Sequence, residues 1–273
     1  MSSNERALID EEYYSYEKYL WTLLNAAHHH KIAMDVIGND ISNRTGIVYP
    51  IYRMVIHPVA SNAICIATGV HGNEIAGPLS ILHLLSTEII CMLPAQYKFV
   101  IYPVINPSGF DLRQRFDADG RDLNAIYGPT LKSKRYNEVQ VFFNDAQQFS
   151  PFQAVLTLHE DSDLEKFYMY GLGMENLEFY HSICCFAKTW IPAWENAEIY
   201  GCRSDQHGLV LATARDHAFD GALFKRGLTK TAFTLETPGK LDLRFRVNLM
   251  VQLILISLEM LASRRWMTSP YRQ

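Results

Sequence analysis

The strongest constraint on this chain is an alternation of short, nearly uninterrupted apolar runs with longer segments of helical spacing. The runs are "AICIATG" (63–69), "YKFVIYPVI" (97–105), "FQAVLTLH" (152–159) and "KTAFTLE" (230–236), all rich in Val, Ile, Phe and Thr. Strands covered on both faces of a sheet need this pattern. Between the first two lies "EIAGPLSILHLLSTEII", a stretch of helix length. Strand, helix, strand predicts a βαβ unit, and its repetition predicts one α/β domain around a largely parallel sheet. With 273 residues and no repeat, low-complexity segment or long linker, one sizeable core is expected over 1–273.

The ends of the chain are expected to be helical. Residues 1–40 read as an N-terminal helical segment, with apolar positions three and four apart from Tyr13 to Leu24. "HHH" at 28–30 falls within it and reads as a solvated helix face. Val247–Ser263 is apolar, but Asn248, Gln252 and Glu259 interrupt it and it is short for a span of roughly 20 residues. A buried C-terminal helix is expected there, and no membrane partner.

The net charge of −4 offers no basic footprint for nucleic acid. The first 20 residues are too charged for a signal peptide, and five cysteines without zinc-ribbon spacing read as reduced thiols. A cytoplasmic location follows as an expectation.

What the four runs deliver at their carboxyl ends is more informative. The first leads into "GVHGNEIAGP" with His71 and Glu74, and the second into "NPSG" (106–109). The third ends on His159 and the fourth on Glu236. Open α/β sheets bind ligands beyond the carboxyl ends of their strands. A core histidine or a capping glutamate explains any one of these residues, but not all of them at one edge. Imidazole and carboxylate are zinc ligands, and catalytic zinc takes three protein ligands and keeps one position open. His71, Glu74 and His159 form such a set.

The segment "NPSGFDLRQRFDADGRDLNAIYG" (106–128) completes a pattern. With "HGNE", "NPSG", "RFDADGRDLN", "TLHE" and "TLETP" in that order, residues 63–240 resemble the zinc carboxypeptidase family, in the broad sense that includes aspartoacylase and succinylglutamate desuccinylase. The resemblance implies a mixed, mostly parallel, eight-stranded sheet with helices on both faces. It implies one zinc on His71, Glu74 and His159, Glu236 as general base, Arg115 as the oxyanion-stabilising arginine and Asn124 as a substrate contact. Arg113 and Arg121 compete with Arg115 for its role. Arg115 is preferred because its nine-residue distance to Asn124 fits the short-loop members.

Three departures from the family pattern concern substrate grip. Ala125 in "DLNA" replaces the arginine that grips a substrate carboxylate, so a free carboxyl terminus either meets another cation, such as Arg113, Arg203 or Arg215, or is not what the site selects. No tyrosine occurs from Gly201 to Glu236, where His207 and His217 fall. The 85 residues from Glu74 to His159 are also fewer than in large digestive carboxypeptidases. The expected activity is zinc-dependent hydrolysis of an amide bond in a small peptide, as by a metallocarboxypeptidase. Deacylation of an N-acyl amino acid is the alternative, and an inactive zinc-binding module is the reading from another class. Glu160, Asp161 and Asp163 are expected in a solvated loop, with a second metal or a basic substrate as the alternative. Asp220 falls near the expected floor of the side-chain pocket. Oligomeric state is not legible.

Overall fold

The computed structural model describes residues 15–125, 137–173, 177–211 and 218–263. It begins with helix α1 (Tyr16–His29), capped by the Ser15 side chain, which accepts from the Lys18 amide at 3.2 Å. Tyr16, Tyr19, Leu23 and Ala27 form its buried stripe at helical spacing. The helix stops short of the expected residue 40. Lys31 takes a left-handed conformation (φ 55°), and Ala33–Ile41 becomes strand β1. Pairing with β2 (Val48–Ile56) overrides the local pattern there. His28 and His29 are exposed, as expected for a solvated face, whereas His30 follows the helix end, is half-buried, and has its Nε2 2.7 Å from the Leu85 carbonyl.

The chain continues as β3 (Asn62–Thr68), α2 (Ala76–Ser86), β4 (Tyr97–Tyr102), α3 (Pro107–Leu112) and α4 (Asn137–Gln147). There follow β5 (Phe152–Asp161), β6 (Tyr168–Leu172), α5 (Leu177–Ala187) and the short β7 (Glu198–Ile199), β8 (Cys202–Arg203) and β9 (Leu209–Leu211). The last elements are α6 (Phe219–Lys225), β10 (Ala232–Pro238) and α7 (Leu243–Ser263). Eight strands form one sheet in the order β1-β2-β4-β3-β5-β10-β6-β9. The pairs β3–β4, β3–β5, β5–β10 and β6–β9 are parallel, whereas β1–β2, β2–β4 and β6–β10 are antiparallel. All four expected runs are central strands, and the mixed, mostly parallel α/β sheet is as the sequence implied.

Along β3 the side chains alternate between two cores, as the strand period requires. Ile64 and Ile66 join the apolar cluster shared with α1, α2, α5 and α7. Ala63, Cys65 and Ala67 join the cluster built with α4 and α6 on the opposite face. Helix α7 is long and apolar enough to cross a membrane, yet Leu249, Met250, Leu253 and Ile254 are fully buried in the first core. Its apolarity therefore serves packing against α2 and α5. All five cysteines are free.

Candidate metal centre and its cavity

The three central parallel strands β3, β5 and β10 end together, and their ends build the site. Just beyond β3, Gly69 turns the chain (φ 64°) and the "HGNE" loop passes over the "NPSG" turn. That passage is backbone on backbone. A Cβ on Gly72 would lie 1.9 Å from the carbonyl carbon of Gly109, so no larger residue fits without moving one loop. Asn106 ties the same layers together from a fully buried position. Its Oδ1 accepts from the Gly109 amide at 2.8 Å, and its Nδ2 donates to the Val70 carbonyl (3.2 Å) and the Arg115 carbonyl (3.4 Å). The "NPSG" motif is thus a splint that holds the histidine loop against the arginine loop.

Fixed this way, His71, Glu74 and His159 converge. Their candidate ligand atoms all lie within 4.8 Å of one another, and all three side chains are buried. The Nδ1 of His71 lies 2.5 Å from Glu74 Oε1, and the Nδ1 of His159 lies 2.7 Å from Oε2. Two imidazole nitrogens facing the two oxygens of one carboxylate form a donor set suited to zinc. Burial works against the charged form of each group, but their mutual attraction prevails. The Glu74 carboxyl is lowered, and both imidazoles are raised.

A second layer of polar side chains orients this trio. The Nε2 of His71 lies 3.5 Å from Asp122 Oδ1. Asp122 Oδ2 accepts from Arg115 Nε at 3.1 Å, and Oδ1 accepts from the Asn124 amide at 3.0 Å. The Glu160 amide donates to Glu74 Oε2 at 3.1 Å. The Glu160 side chain points the other way: Oε2 accepts from the Ala76 amide at 2.7 Å, at the first turn of α2, and Oε1 pairs with Arg246 of α7. A carboxylate at a helix N-terminus satisfies an amide without an intrahelical partner and opposes the helix dipole. Glu160 and Asp161 therefore belong to buried strand β5 and not to the expected solvated loop, while Asp163 is exposed.

Glu236 sits beside His159 because the two are partners in the parallel β5–β10 ladder. Its carboxyl is raised, first by burial and then by Glu74 and Asp161, against the attraction of His159 and Arg115. Glu236, His71, Glu74, Arg115 and Asn124 all line one cavity of about 540 Å³. Arg115 Nη1 stands 3.9 Å from Glu74 Oε1. The competing arginines are elsewhere. Arg121 pairs with Asp117 and lies 3.8 Å from Asp119, whereas Arg113 caps α3 with a left-handed backbone. Neither lines the cavity, and neither does the exposed Arg203. Arg215 and His217 lie outside the described residues, and His207 is bound into the turn before β9. Ala125 is exposed at the end of a 3-10 turn (Leu123–Ala125).

Several cavity residues escaped the sequence reading. Tyr200, one residue before the stretch without tyrosine, lines the cavity and donates to Asp161 Oδ2 at 2.9 Å. Tyr168 donates to the same oxygen, also at 2.9 Å. Tyr170 and Thr234 complete that wall, together with Asp220, which the sequence reading had placed near the floor of the side-chain pocket. The one signal that could have pointed to Tyr168 and Tyr170 is their two-residue spacing on a short apolar run; for Tyr200 there was none.

Residues 60–264 match the family described as the succinylglutamate desuccinylase/aspartoacylase catalytic domain. No protein with a curated description matches the sequence. Among solved structures, a candidate metallopeptidase from Shewanella amazonensis shares the fold at 21% identity and a TM-score of 0.76, over 90% of this chain and 92% of that one. A metallo-carboxypeptidase from Burkholderia cenocepacia superposes at 15% identity and a TM-score of 0.69, over 92% and 70% of the two chains. Carboxypeptidase A from Helicoverpa armigera does so at 15% identity and a TM-score of 0.64, over 94% and 74%. On the match over most of its length, this chain belongs to the succinylglutamate desuccinylase/aspartoacylase catalytic-domain family, and its fold is that of the zinc carboxypeptidases.

Proposed function

We propose that this protein is a zinc-dependent hydrolase of a single amide bond in a small substrate. The observation that carries the reading is the convergence of His71, Glu74 and His159 at the edge of a cavity that His71 and Glu74 line with Glu236 and Arg115. The donor set fits zinc in its chemistry: two imidazole nitrogens and a carboxylate, buried together, with no other cation among the described residues closer to Glu74 than Arg115 at 3.9 Å. A zinc ion held there would supply Lewis acidity toward a carbonyl and would lower the pKa of a water to about 7.

The remaining work falls to the chain's own side chains. Glu236, with its carboxyl raised by burial, is suited to take a proton from the attacking water and return it to the leaving amine. Arg115, oriented by Asp122, presents a guanidinium to the oxygen on which charge develops. Asn124, on the same wall, holds the substrate. Glu74 and Glu236 are buried, whereas the Arg115 side chain stays about half exposed at the mouth.

Family membership favours deacylation of an N-acyl amino acid, whereas the complete "NPSG" and "DADGRDLN" segments favour a short peptide. Either substrate presents one amide bond to the same groups. The decisive experiment is metal analysis with a panel of N-acyl amino acids and short peptides. About one zinc per chain is expected, and His159→Ala should lose it. Glu236→Gln should keep the metal while turnover falls by at least ~10². Full zinc retention in His159→Ala, or full activity in Glu236→Gln, would overturn the assignment.

A further inference from the structure

Helix α1 precedes every motif of the site in the chain, yet it holds the two turns from which the site hangs. The buried Tyr19 hydroxyl donates to the Pro78 carbonyl at 3.0 Å, in the first turn of α2 and four residues past Glu74. The Tyr16 amide, at the first position of α1, donates to Asp111 Oδ1 of α3 at 2.8 Å. Tyr49 of β2 donates its hydroxyl to Oδ2 of the same carboxylate at 3.2 Å, and Tyr16 donates its own to the Pro50 carbonyl at 2.6 Å. An amide in the first helical turn has no intrahelical partner, so Asp111 supplies one from outside and fixes where α1 begins.

Between these anchors lies the buried Phe110. Its ring meets Tyr19 in a tilted arrangement, with centroids 5.1 Å apart, and Tyr16 edge-on at 6.3 Å. Aromatic pairs in such arrangements attract and hold a preferred geometry. The backbone at Phe110 carries both loops of the site. Its amide nitrogen would lie 2.2 Å from a Cβ on Gly72, the residue after His71, so the histidine loop rests directly on it. Its carbonyl accepts from the Arg113 amide at 3.2 Å, and the Gly109 carbonyl accepts from the Gln114 amide at 3.0 Å. Those two bonds start the loop that carries Arg115. Interiors packed like organic crystals pass small displacements on, so a shift of Phe110 is felt at His71 and Arg115 together. Filling the core asks only for apolar rings. A hydroxyl buried at position 19 is costly unless bonded, and its bond goes to the turn that follows Glu74.

We infer that α1 is part of the support of the metal centre, with Tyr19 and Asp111 as positioning residues. They act through Phe110 and the first turn of α2 on His71 and Glu74. This rests on the metal-centre reading above, and on nothing about which amide is cut.

The test uses the whole protein loaded with cobalt(II), whose visible absorption reports ligand geometry, and with zinc in competition with a chelator. Asp111→Ala and Tyr19→Phe should each change the cobalt band and weaken zinc binding by ~10-fold, the lower end of the range for partners that orient metal ligands. Asp111→Asn should return the affinity to within ~2-fold of wild type, because its Oδ1 still accepts from the Tyr16 amide and its Nδ2 can donate to the Tyr49 hydroxyl. Phe142→Leu, in the core on the opposite face of the sheet, serves as the control for stability loss alone. It should unfold at lower urea concentration with band and affinity unchanged. Unchanged band and affinity in both Asp111→Ala and Tyr19→Phe would overturn the inference and leave α1 a core element. So would equal changes in Phe142→Leu, or an Asp111→Asn no better than Asp111→Ala. If Asp111→Ala does not fold, Tyr19→Phe decides, since it keeps the ring on Phe110. A wild type that takes up neither metal would sink the metal reading and this one with it. A wild type that loads both while its variants stay silent would sink this one alone.

Discussion

Arg246→Met is the substitution that most directly probes how α7 supports the site. Arg246 pairs with Glu160 where both side chains are nearly out of water, at 10% and 3% exposure. Methionine keeps much of the packed stem but leaves Glu160, among the described residues, with only the Ala76 amide on its side chain. Breaking a buried pair from one side costs about 3–5 kcal/mol. Burial already raises the Glu160 carboxyl above its ordinary value with the arginine present, and without it the shift grows. The sign of the pH dependence follows. The folded state then binds a proton more tightly than the unfolded one, so the penalty is full at high pH and shrinks as pH falls through the raised folded value. Urea unfolding followed by far-UV circular dichroism should therefore show a loss of about 3–5 kcal/mol at pH 8. The loss should be smaller at pH 6. Arg246→Met with Glu160→Gln should recover most of the loss, because the amide carries no charge to strand. A loss below about 1 kcal/mol at pH 8, or one that grows on acidification, would refute the claim that the pair is a buried, mutually dependent unit.

Other substitutions test the splint and the second layer of side chains. Gly72→Ala should destabilise the protein by about 1–3 kcal/mol in urea unfolding, the range for overpacking, because its Cβ would strike the Gly109 backbone; a neutral result would mean the loops separate freely. Asp122→Asn should weaken zinc affinity by ~10–100-fold in a chelator competition, since the contact that orients His71 loses its charge. Arg115→Ala should lower kcat more than it raises KM, whereas Arg121→Ala should act on stability through Asp117; the opposite pattern would exchange their roles.

The parts of this fold that were legible in the sequence are those buried on both sides. β3, β4, β5 and β10 announced themselves because a strand between two helical layers has no polar face to interrupt it. β1 did not. It is an edge strand with Asp35, Gly38 and Asn39, and Val36 and Ile41 are exposed on it, so neither period survives in its residues. Only pairing with β2 makes it a strand. The ligand candidates could be read from their places at strand ends, and Arg115 was favoured over its neighbours by spacing alone. The supporting contacts could not be read. Glu160 meets Arg246 across 86 residues, and Tyr200 meets Asp161 across 39. Partners that distant are chosen by the packed chain and leave no local trace.

The pairing of Glu236 with His159 in one parallel ladder has a further consequence. Adjacent strands lie about 4.8 Å apart because peptide groups hydrogen-bond at that spacing, whatever the side chains. On the proposed function, the spacing between Glu236 and the His159 of the metal trio is thus set by the most invariant length in protein architecture. Much of the rest of the cavity lining comes from loops and from the first turn of α6, which obey no such ruler. A lineage built on this sheet is free to rewrite the rim of its cavity, and the spacing of Glu236 and His159 survives each change untouched.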